Sequence, residues 1–548
     1  ATYIGGSAQE YPHSTIVDYN GQLCIFGSTA STDYPTTATA IQNTFGGLFD
    51  IVVTKLNEDG TALVGSTYLG GSDSDGFNYN TANQGDNFRG EIVLDPQGNI
   101  YIASCSRSVN FPTTANSFQP NISPGAFNQE GIVAKLNSDL STAFWTTYLG
   151  GSGDDIAMAL RVAESGSVYV TGIASGSDFP MVPGGVQPGF STGPESAFVV
   201  RLSANGSAMT ASTFWGDNDR TRGYFIDLDE SEQVHIYGQT TGDIPITPGT
   251  YFFNPGSQQF LTAFTNNLDA LVYSTVIGTG NFFNDFIPVA FMVDKCNNIY
   301  FSGYQSSNGL PLSPDAFYTI GQSFYLGVLA PNATDLSFGT YYGEANHVDG
   351  GTSRFDKGGI VYQGVCSCNR ANSPSRVLNT TPGAWATGQT VGCDVGVFKI
   401  DFEVPTVTAL ARTEPATSGC APFFTDFTYT GQDAETIFWD FGNGDTSTDF
   451  NPSTTFMEPG TYTVTQIVNA GNTCNLSDTF RLNIDVLAGE STLETLSFCP
   501  GDEDIFIDVS TINATYHWSD GTSGPTLQTE VPGTYWVDIN LTGCSRRD

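Results

Sequence analysis

The sequence predicts an all-β fold in which a six-bladed β-propeller precedes two β-sandwich domains. One observation is a phrase of the type Thr-aromatic-aliphatic-Gly, of which "TYLGG" is an example, that recurs through the first 344 residues. A second is that short apolar runs separated by turn residues fill the intervals between its copies. A third is a change of pattern near residue 404, where short alternating strands with frequent turns begin, as sandwich domains require.

The repeated phrase defines a unit of four strands. Its copies begin at Thr2, Thr67, Thr147, Thr213, Thr275 and Thr340. Successive copies therefore lie 62 to 80 residues apart. Each interval holds a strand, a tight turn, a second strand, a loop with a Pro and a third strand, and the phrase itself is the fourth strand. This regularity predicts the antiparallel blades of a propeller.

The second strand of each unit is apolar on both faces. In "NIYIASC", Ile100 and Ile102 alternate with Tyr101 and Ala103. The strands of a sheet with one solvent-exposed face alternate apolar with polar residues. Each sheet is therefore expected to pack against other parts of the protein on both faces. Helical periodicity is absent from the sequence.

An Asp recurs at one position of the tight turn between the first two strands. The five examples are Asp18, Asp95, Asp229, Asp294 and Asp356. An Asp that starts a turn can accept hydrogen bonds from backbone N–H groups two residues on. We interpret these residues as turn formers and not as catalytic acids.

Acidic residues follow the phrase in some copies, as Asp154 and Asp155 do after "TYLGG". The glycines permit a sharp corner at which the chain leaves the rim strand for the next blade. We interpret the acids as solvated corner residues. The alternative is a cation site, because hard oxygen ligands on a Gly-rich loop suit Ca²⁺, and Asp154 with Asp155 are then its candidate ligands. No other cofactor is expected.

The C-terminal part predicts two sandwiches, residues 404–487 and 488–548. Each contains a Trp in mid-strand, Trp439 or Trp518, and a later "PGTY" turn. A sandwich needs a bulky residue between its two sheets, so we interpret both Trp as core residues and not as binding platforms.

The charge balance excludes two classes of partner. The chain carries 56 Asp and Glu residues against 18 Lys and Arg, a formal net charge of −38. Such a surface repels nucleic acid and anionic lipid headgroups. No apolar run reaches the roughly 18 residues that a membrane-spanning helix needs. We therefore expect neither nucleic-acid binding nor direct membrane insertion.

The paired placement of the ten cysteines, together with many Gly, Ser, Thr and Asn residues and scarce Lys, indicates an oxidising, extracellular compartment or the cell surface. Two pairs bracket the two small C-terminal domains, and a third falls in the last blade. The predicted disulfides are Cys420–Cys474, Cys499–Cys544 and Cys366–Cys393. Cys368 is an alternative partner for Cys393. Zinc is disfavoured in the last blade because a fourth ligand is not evident.

These patterns resemble known families. The run "TYLGGSGDD…VYVTG…DFP…AFVVRL" resembles the bacterial SBBP propeller repeat across residues 1–403. The segment "WDFGNGDTS…NPSTTFMEPGTYTVTQIV" closely resembles a PKD domain, and "YHWSDGTSGPTL…PGTYWVDI…GC" is similar to an immunoglobulin-like module of large surface proteins of gliding bacteria. The resemblance implies export by the type IX secretion machinery and a C-terminal sorting domain beyond residue 548. It supplies no catalytic residues.

No catalytic motif is recognisable in the sequence. The four His residues are far apart, and no nucleophile elbow, Walker loop or dinucleotide fingerprint occurs. We therefore expect a non-catalytic secreted or cell-surface protein that acts in adhesion or in contact with an extracellular protein or glycan. The alternative is a propeller-type polysaccharide lyase or hydrolase with appended sandwich anchors, because paired carboxylates are available.

The strand count predicts how the propeller closes. The first phrase, Thr2 to Gly6, precedes its own unit, whereas the sixth unit has no phrase after it. We predict that residues 2–6 pair beside Val397 to Phe402 and complete the sixth blade, which removes two sheet edges. The alternative is that further blades precede residue 1.

Overall fold

A computed structural model describes residues 2–18, 20–79, 87–123, 129–251, 254–280, 285–304, 308–320, 324–342, 353–369, 380–384, 386, 392–414, 417–487, 505–509, 515–529, 531, 533–541 and 544–547. The chain forms two compact units, residues 1–403 and 404–548. Apart from one 3-10 turn at Pro331–Ala333, all of the described regular structure is β.

The first unit contains six antiparallel sheets, each made of strands consecutive in the chain, and these sheets have the form of propeller blades. Sheets one to three are β1 (Glu10–Val17), β2 (Leu23–Thr29), β3 (Asp50–Leu56), β4 (Leu63–Leu69); β5 (Glu91–Leu94), β6 (Ile100–Ser106), β7 (Glu130–Leu136), β8 (Ala143–Leu149); and β9 (Ile156–Val162), β10 (Val168–Ala174), β11 (Ser196–Leu202), β12 (Met209–Trp215). Sheets four to six are β13 (Thr221–Leu228), β14 (Val234–Thr240), β15 (Gln259–Phe264), β16 (Leu271–Ile277); β17 (Ile287–Val293), β18 (Ile299–Tyr304), β19 (Phe324–Leu329), β20 (Leu336–Tyr342); and the three-stranded β21 (Ser353–Asp356), β22 (Ile360–Asn369), β23 (Gly392–Asp401).

The first strands of successive sheets lie side by side around a common axis. β1 neighbours β5, β5 neighbours β9, and the series continues through β13 and β17 to β21. Residues of β1 and of the β21 region line the same axial cavity, so the first and last sheets both reach the axis. The predicted propeller architecture is confirmed.

The five largest hydrophobic cores of the first unit each lie between two neighbouring sheets, which is why the strands are apolar on both faces. In β6, Ile100 and Ile102 join a core shared with sheet one, whereas Tyr101 and Ala103 join a core shared with sheet three. All four are fully buried. Burial of a large apolar side chain contributes about 1.5 to 3 kcal/mol, so sheets two to five are each stabilised from both sides.

The repeated phrase ties each rim strand to the Pro-containing loop. In "TTYLGG", the hydroxyl of Thr147 accepts a hydrogen bond from the backbone N–H of Gln119 at 2.8 Å. The ring of Tyr148 is buried, and its hydroxyl accepts from the N–H of Phe111 at 3.1 Å and donates to the carbonyl of Ser108. The Thr and the Tyr of the phrase anchor the loop together in three sheets, through Tyr68, Tyr148 and Tyr341.

The first strand of four sheets contains a β-bulge beside a glycine of the second strand. The bulged residues are His13, Met158, Tyr224 and Val289, and the adjacent glycines are Gly27, Gly172, Gly238 and Gly303. A Cβ on Gly27 would lie 2.5 Å from the carbonyl oxygen of Tyr11, and one on Gly172 would overlap the carbonyl oxygen of Ile156. A bulge redirects its side chain, and here it does so next to the axis.

We expect Gly172→Ala to destabilise the first unit by about 1 to 3 kcal/mol, because the added methyl group must displace the bulged backbone. Gly189→Ala is the matched control, since nothing lies within 4 Å of a Cβ at that position. The measurement is the melting temperature of the full chain. Equal melting temperatures for the two variants would show that the bulge does not require a glycine.

The N-terminal segment differs from the prediction. Residues 2–6 form no strand, Tyr3 is fully exposed, and in the described structure β23 pairs only with β22. The backbone N–H of Gly6 instead donates to the carboxylate of Glu10 at 2.9 Å, and that of Ser7 donates to Asp33 at 2.7 Å. Because side chains of sheet one bind this segment, it lies beside sheet one and does not supply the fourth strand of sheet six.

The second unit contains two groups of strands. Residues 411–487 form a three-stranded and a five-stranded sheet from β24 (Ala411–Glu414), β25 (Ser418–Cys420), β26 (Phe423–Tyr429), β27 (Thr436–Asp440), β28 (Thr446–Ser447), β29 (Ser453–Phe456), β30 (Gly460–Asn469) and β31 (Ser477–Leu487). Two smaller sheets contain β32 (Ile505–Asp508) with β34 (Thr526–Thr529), and β33 (Thr515–Trp518), β35 (Val537–Leu541) and β36 (Cys544–Arg547).

Both Trp residues occupy hydrophobic cores, as predicted. Trp439 is fully buried, and its indole N–H donates to the carbonyl of Asp449 at 3.0 Å. Trp518 is also buried, and its N–H donates to the carbonyl of Gly524 at 2.9 Å. Each Trp therefore fills apolar space while its one polar atom is satisfied.

The predicted disulfide Cys420–Cys474 does not fit the strand register. Both cysteines are disulfide-bonded. Cys420 lies opposite Leu487 at the end of β31, whereas Cys474 lies in the turn that precedes Ser477 at its beginning. Ten residues of strand span about 33 Å, and a disulfide requires Cα atoms within about 7 Å. This prediction is wrong because it assumed that the two cysteines bracketing the domain also meet in space.

The other predicted disulfides fall on residues whose side chains lie outside the described part. In the backbone register Cys393 lies opposite Cys368, so Cys366 is not its direct partner position. Cys499 and the side chain of Cys544 are not among the described residues, and their pairing stays a prediction. Cys296, to which the sequence analysis gave no role, is disulfide-bonded.

Candidate functional site in the central cavity

The axis of the first unit contains a cavity of about 430 Å³, which all six sheets line. The four bulged residues, His13, Met158, Tyr224 and Val289, all belong to its wall. The bulges therefore bring side chains from strands far apart in sequence to one place. Cavities of this size accommodate small ligands.

A network of ion pairs crosses one part of the cavity wall. Arg161 contacts Glu91 at 2.6 Å and Asp227 at 3.0 Å, and Lys357 contacts the other oxygen of Asp227 at 2.7 Å. The backbone N–H of Val293 also donates to Asp227 at 2.8 Å. One buried carboxylate thus connects four successive sheets of the propeller.

The network keeps Asp227 and Arg161 charged. Burial alone would raise the pKa of Asp227, but the charges of Lys357 and Arg161 outweigh it and the pKa is lowered. Burial likewise disfavours the Arg161 cation, yet Glu91 and Asp227 raise the pKa of its guanidinium above the usual value. Asp227 is therefore a structural counter-ion and not a proton donor near neutral pH.

A second part of the wall contains His13 and Arg89. His13 is buried, its Nε2 lies 3.1 Å from the hydroxyl of Ser28, and its Nδ1 has no hydrogen-bond partner. Burial lowers the pKa of His13 to about 3, so the imidazole is neutral at physiological pH. The guanidinium of Arg89 lies 5.0 and 4.5 Å from the ring centroids of Tyr224 and Phe225, at cation–π distance.

Two of the acids that follow the repeated phrase, Asp75 and Asp155, are buried and not solvated as predicted, whereas Asp154 is only partly buried. Asp155 accepts the backbone N–H of Gly151 at 2.6 Å and that of Ser175 at 2.9 Å, one on each oxygen. Asp75 accepts the N–H of Gly71 at 2.7 Å in the same way. Both carboxyls are fully buried. Their role is to close the corner by satisfying its backbone donors.

At each of these two corners, the buried Asp lies close to a second acidic residue, which begins the third strand of the preceding sheet. Asp50 lies near Asp75, and Glu130 lies near Asp155, so that the members of a pair repel each other. Burial is the larger effect, and it raises the pKa of Asp75 and of Glu130 to about 7, and that of Asp50 and of Asp155 to about 6.

The candidate calcium ligands are adjacent in sequence but differ in their surroundings. Both oxygens of Asp155 are used by backbone donors, whereas Oδ1 of Asp154 is buried without a hydrogen-bond partner. Within the described ranges, no group of three or more His, Cys, Asp or Glu side chains is placed to hold a metal ion. Calcium binding by Asp154 and Asp155 stays a prediction.

The turn Asp residues behave as the sequence indicates. Oδ1 of Asp95 accepts the N–H groups of Gln97 at 3.1 Å and Asn99 at 2.9 Å, and Asp294 makes the same pair of bonds.

The sequence alone did not identify Arg161, Asp227 and Lys357 as a group, because they lie in different repeats. The corner acids, in contrast, have a signal in the sequence: an acidic residue stands four positions after the second Gly of the phrase at Glu10, Asp75 and Asp155.

Comparison with protein families gives a match within the C-terminal part of the chain. Residues 403–484 match the PKD domain. No curated protein matches the chain. In the part of the chain that the structure describes, no helix has the length and hydrophobicity of a membrane span.

Solved structures of several enzymes are similar only in a general way. A fungal alcohol oxidase of the AA5 family in complex with copper is 11% identical, with a TM-score of 0.31 over 88% of this chain and 98% of its own. A PL25 ulvan lyase bound to a -[GlcA(1-4)Rha3S]- ligand is 8% identical, with a TM-score of 0.34 over 66% and 82%. A quinohemoprotein alcohol dehydrogenase from Pseudomonas putida HK5 is 9% identical, with a TM-score of 0.30 over 92% and 79%.

Similarities at this level carry no argument about activity. The PKD match agrees with the two sheets and the buried Trp439 found between residues 411 and 487. The chain thus combines a unit of propeller-like sheets with a PKD domain at residues 403–484.

Proposed function

We propose that the protein is a non-catalytic secreted or cell-surface protein whose propeller binds an extracellular glycan or protein and whose C-terminal domains act as a spacer. The observation that carries the proposal is the ion-pair network of Glu91, Arg161, Asp227 and Lys357. A catalytic acid or base needs a pKa near the working pH and access to a substrate. Here the axial charges are paired with each other and hold the sheets together.

Location outside the cell is supported by two further features. PKD domains are typical of extracellular proteins, and residues 403–484 form one. Three described cysteines, Cys296, Cys420 and Cys474, are disulfide-bonded, which fits an oxidising compartment. The repeats resemble SBBP units, and residues 488–548 resemble an immunoglobulin-like module. On the basis of these resemblances, we also propose export by the type IX machinery.

The test is a glycan array probed with the purified full chain, followed by analysis of the bound glycans after prolonged incubation. We expect selective binding to a subset of glycans and recovery of those glycans intact. The heat-denatured chain on the same array is the control for charge-driven adsorption. Shortened or unsaturated products would overturn the proposal in favour of the polysaccharide-active enzyme, and an array without any hit would refute glycan binding.

A further inference from the structure

A polar cluster outside the wall of the central cavity lies where the chain passes from sheet one to sheet two and from sheet two to sheet three. Tyr79 belongs to the first of these connections and Asp154 to the second, and Arg107 directly follows β6. Gln129 holds the connections together, because its side-chain carbonyl accepts the backbone N–H of Tyr79 at 2.8 Å and its backbone carbonyl accepts that of Asp155 at 2.9 Å. The cluster is therefore assembled from four separate stretches of the chain.

Within the described residues, two buried polar atoms of this cluster have no hydrogen-bond partner. They are Nε of Arg107, which is a donor, and Oδ1 of Asp154, which is an acceptor. Burial raises the pKa of the Asp154 carboxyl, and the backbone N–H of Gln129 and the positive charge of Arg107 oppose this rise. The unpaired donor and the unpaired acceptor are thus close enough to interact, but they do not bond to each other.

An aromatic ring lies beside the unpaired donor. Cζ of Arg107 is 4.3 Å from the centroid of the Tyr79 ring, at cation–π distance. The hydroxyl of Tyr79 lies 3.1 Å from that of Ser74, which fixes the phenolic end of the ring. Tyr79 is nevertheless 44% exposed. Exposed apolar ring surface therefore adjoins a hydrogen-bond donor and an acceptor.

This combination of groups selects the chemistry of a ligand. A hydroxyl can donate and accept hydrogen bonds, so two adjacent hydroxyls can accept from a guanidinium and donate to a carboxylate at the same time. Arg107 and Asp154 carry opposite charges and together add no net attraction for an ion, while the net charge of −38 disfavours an anion. Both residues are partly exposed, so a change of side-chain rotamer brings either unpaired atom to the surface.

We infer that Tyr79, Arg107 and Asp154 bind a neutral hexopyranose unit of a glycan through two adjacent hydroxyls. One hydroxyl accepts from Nε of Arg107, its neighbour donates to Oδ1 of Asp154, and the apolar face of the sugar packs on the ring of Tyr79. Asp154 contacts the sugar directly, so binding does not require calcium. The inference rests on the proposed glycan-binding function and names the sugar class and its site.

The experiment is isothermal titration calorimetry of the full chain with the methyl α-glycosides of D-glucose, D-galactose and D-mannose. EDTA is present so that no calcium competes for Asp154. Together the three probes present adjacent hydroxyls in the equatorial–equatorial and the axial–equatorial arrangement. At least one of them should bind. If none of the three binds, the inference is wrong.

Three variants locate the site, and their melting temperatures show that they fold. Arg107→Gln and Asp154→Ala each remove one charge-assisted hydrogen bond, so each should weaken glycoside binding about tenfold or more. Tyr79→Ala should weaken it as well, because the sugar loses its packing surface. Arg412→Gln removes the same charge as Arg107→Gln from an exposed position in the second unit and should leave the affinity unchanged. Full affinity in Arg107→Gln and Asp154→Ala, or an equal loss in Arg412→Gln, would contradict the assignment.

The inference and the proposed function can fail separately. If the glycan array keeps its hits with Arg107→Gln while none of the three glycosides binds, the glycan surface lies elsewhere and only this site is refuted. If the array shows no hit while a glycoside binds and is lost in Arg107→Gln and Asp154→Ala, glycan adhesion is refuted and the sugar site stands.

Discussion

In urea, the Asp227→Asn variant is expected to be less stable than the unmodified chain by about 3 to 5 kcal/mol. Asp227 is buried, and its two oxygens face Arg161 and Lys357. Removing its charge leaves those two cations close together without their shared counter-ion. The measurement is the free energy of unfolding of the full chain from urea denaturation.

The matched control is Asp401→Asn. Asp401 also pairs with a lysine, Lys399 at 3.6 Å, but both side chains are about half exposed. Exposed pairs contribute about 0 to 1 kcal/mol, so this variant should be nearly neutral. Similar losses in the two variants would show that the axial network does not hold the sheets together.

The stability of the chain is also expected to fall as the pH rises from about 4 to 7. Four buried carboxyls, Asp50, Asp75, Glu130 and Asp155, have pKa values raised to about 6 or 7 by burial. In the unfolded chain such groups lose their protons near pH 4. Between these values the folded state binds more protons, so ionisation favours unfolding.

Because the pKa values of these carboxyls are raised, the pH range in which their contribution to stability is lost can be stated. The contribution of these four carboxyls is complete below about pH 4 and is lost as the pH rises through 6 to 7. Groups with lowered pKa values act in the opposite direction. Asp33 and Asp178 lose their contribution only at more acidic pH, whereas the contribution of the single His13 is lost as the pH falls below about 6.5 and offsets part of the effect of the four carboxyls. The urea midpoint should therefore be higher at pH 5 than at pH 8.

One variant assigns this effect to the corners. Asp75→Asn cannot ionise, so the difference between its urea midpoints at pH 5 and pH 8 should be smaller than in the unmodified chain. Glu58→Gln, at an exposed position, is the control that changes the net charge equally and should retain the full difference. If the urea midpoint of the unmodified chain did not change with pH, the four corner carboxyls would not have the raised pKa values that burial gives them.

The sequence predicted the features that depend on local pattern. Ile100 and Tyr101 alternate in sequence and enter the cores on opposite sides of their sheet, as two-faced burial required. Asp95 forms its turn with donors two and four residues away. Each of these features depends on neighbours in the chain, which a sequence shows directly.

Features that depend on distant residues could not be predicted in the same way. Cys420 and Cys474 bracket a domain, yet the register of β31 separates them. Asp155 follows a glycine corner and was expected in solvent, but Glu130, 25 residues earlier in the sequence, packs beside it. The cavity wall combines six repeats, and its composition is evident only once the sheets surround one axis.

We propose that the axial charges hold the propeller together and perform no chemistry. The test is to incubate the unmodified chain and Asp227→Asn with a glycan that the array identifies, and to analyse the products by mass spectrometry. We expect intact glycan in both samples and lower stability in the variant. Cleaved or unsaturated products that form with the unmodified chain and are absent with the folded variant would contradict it.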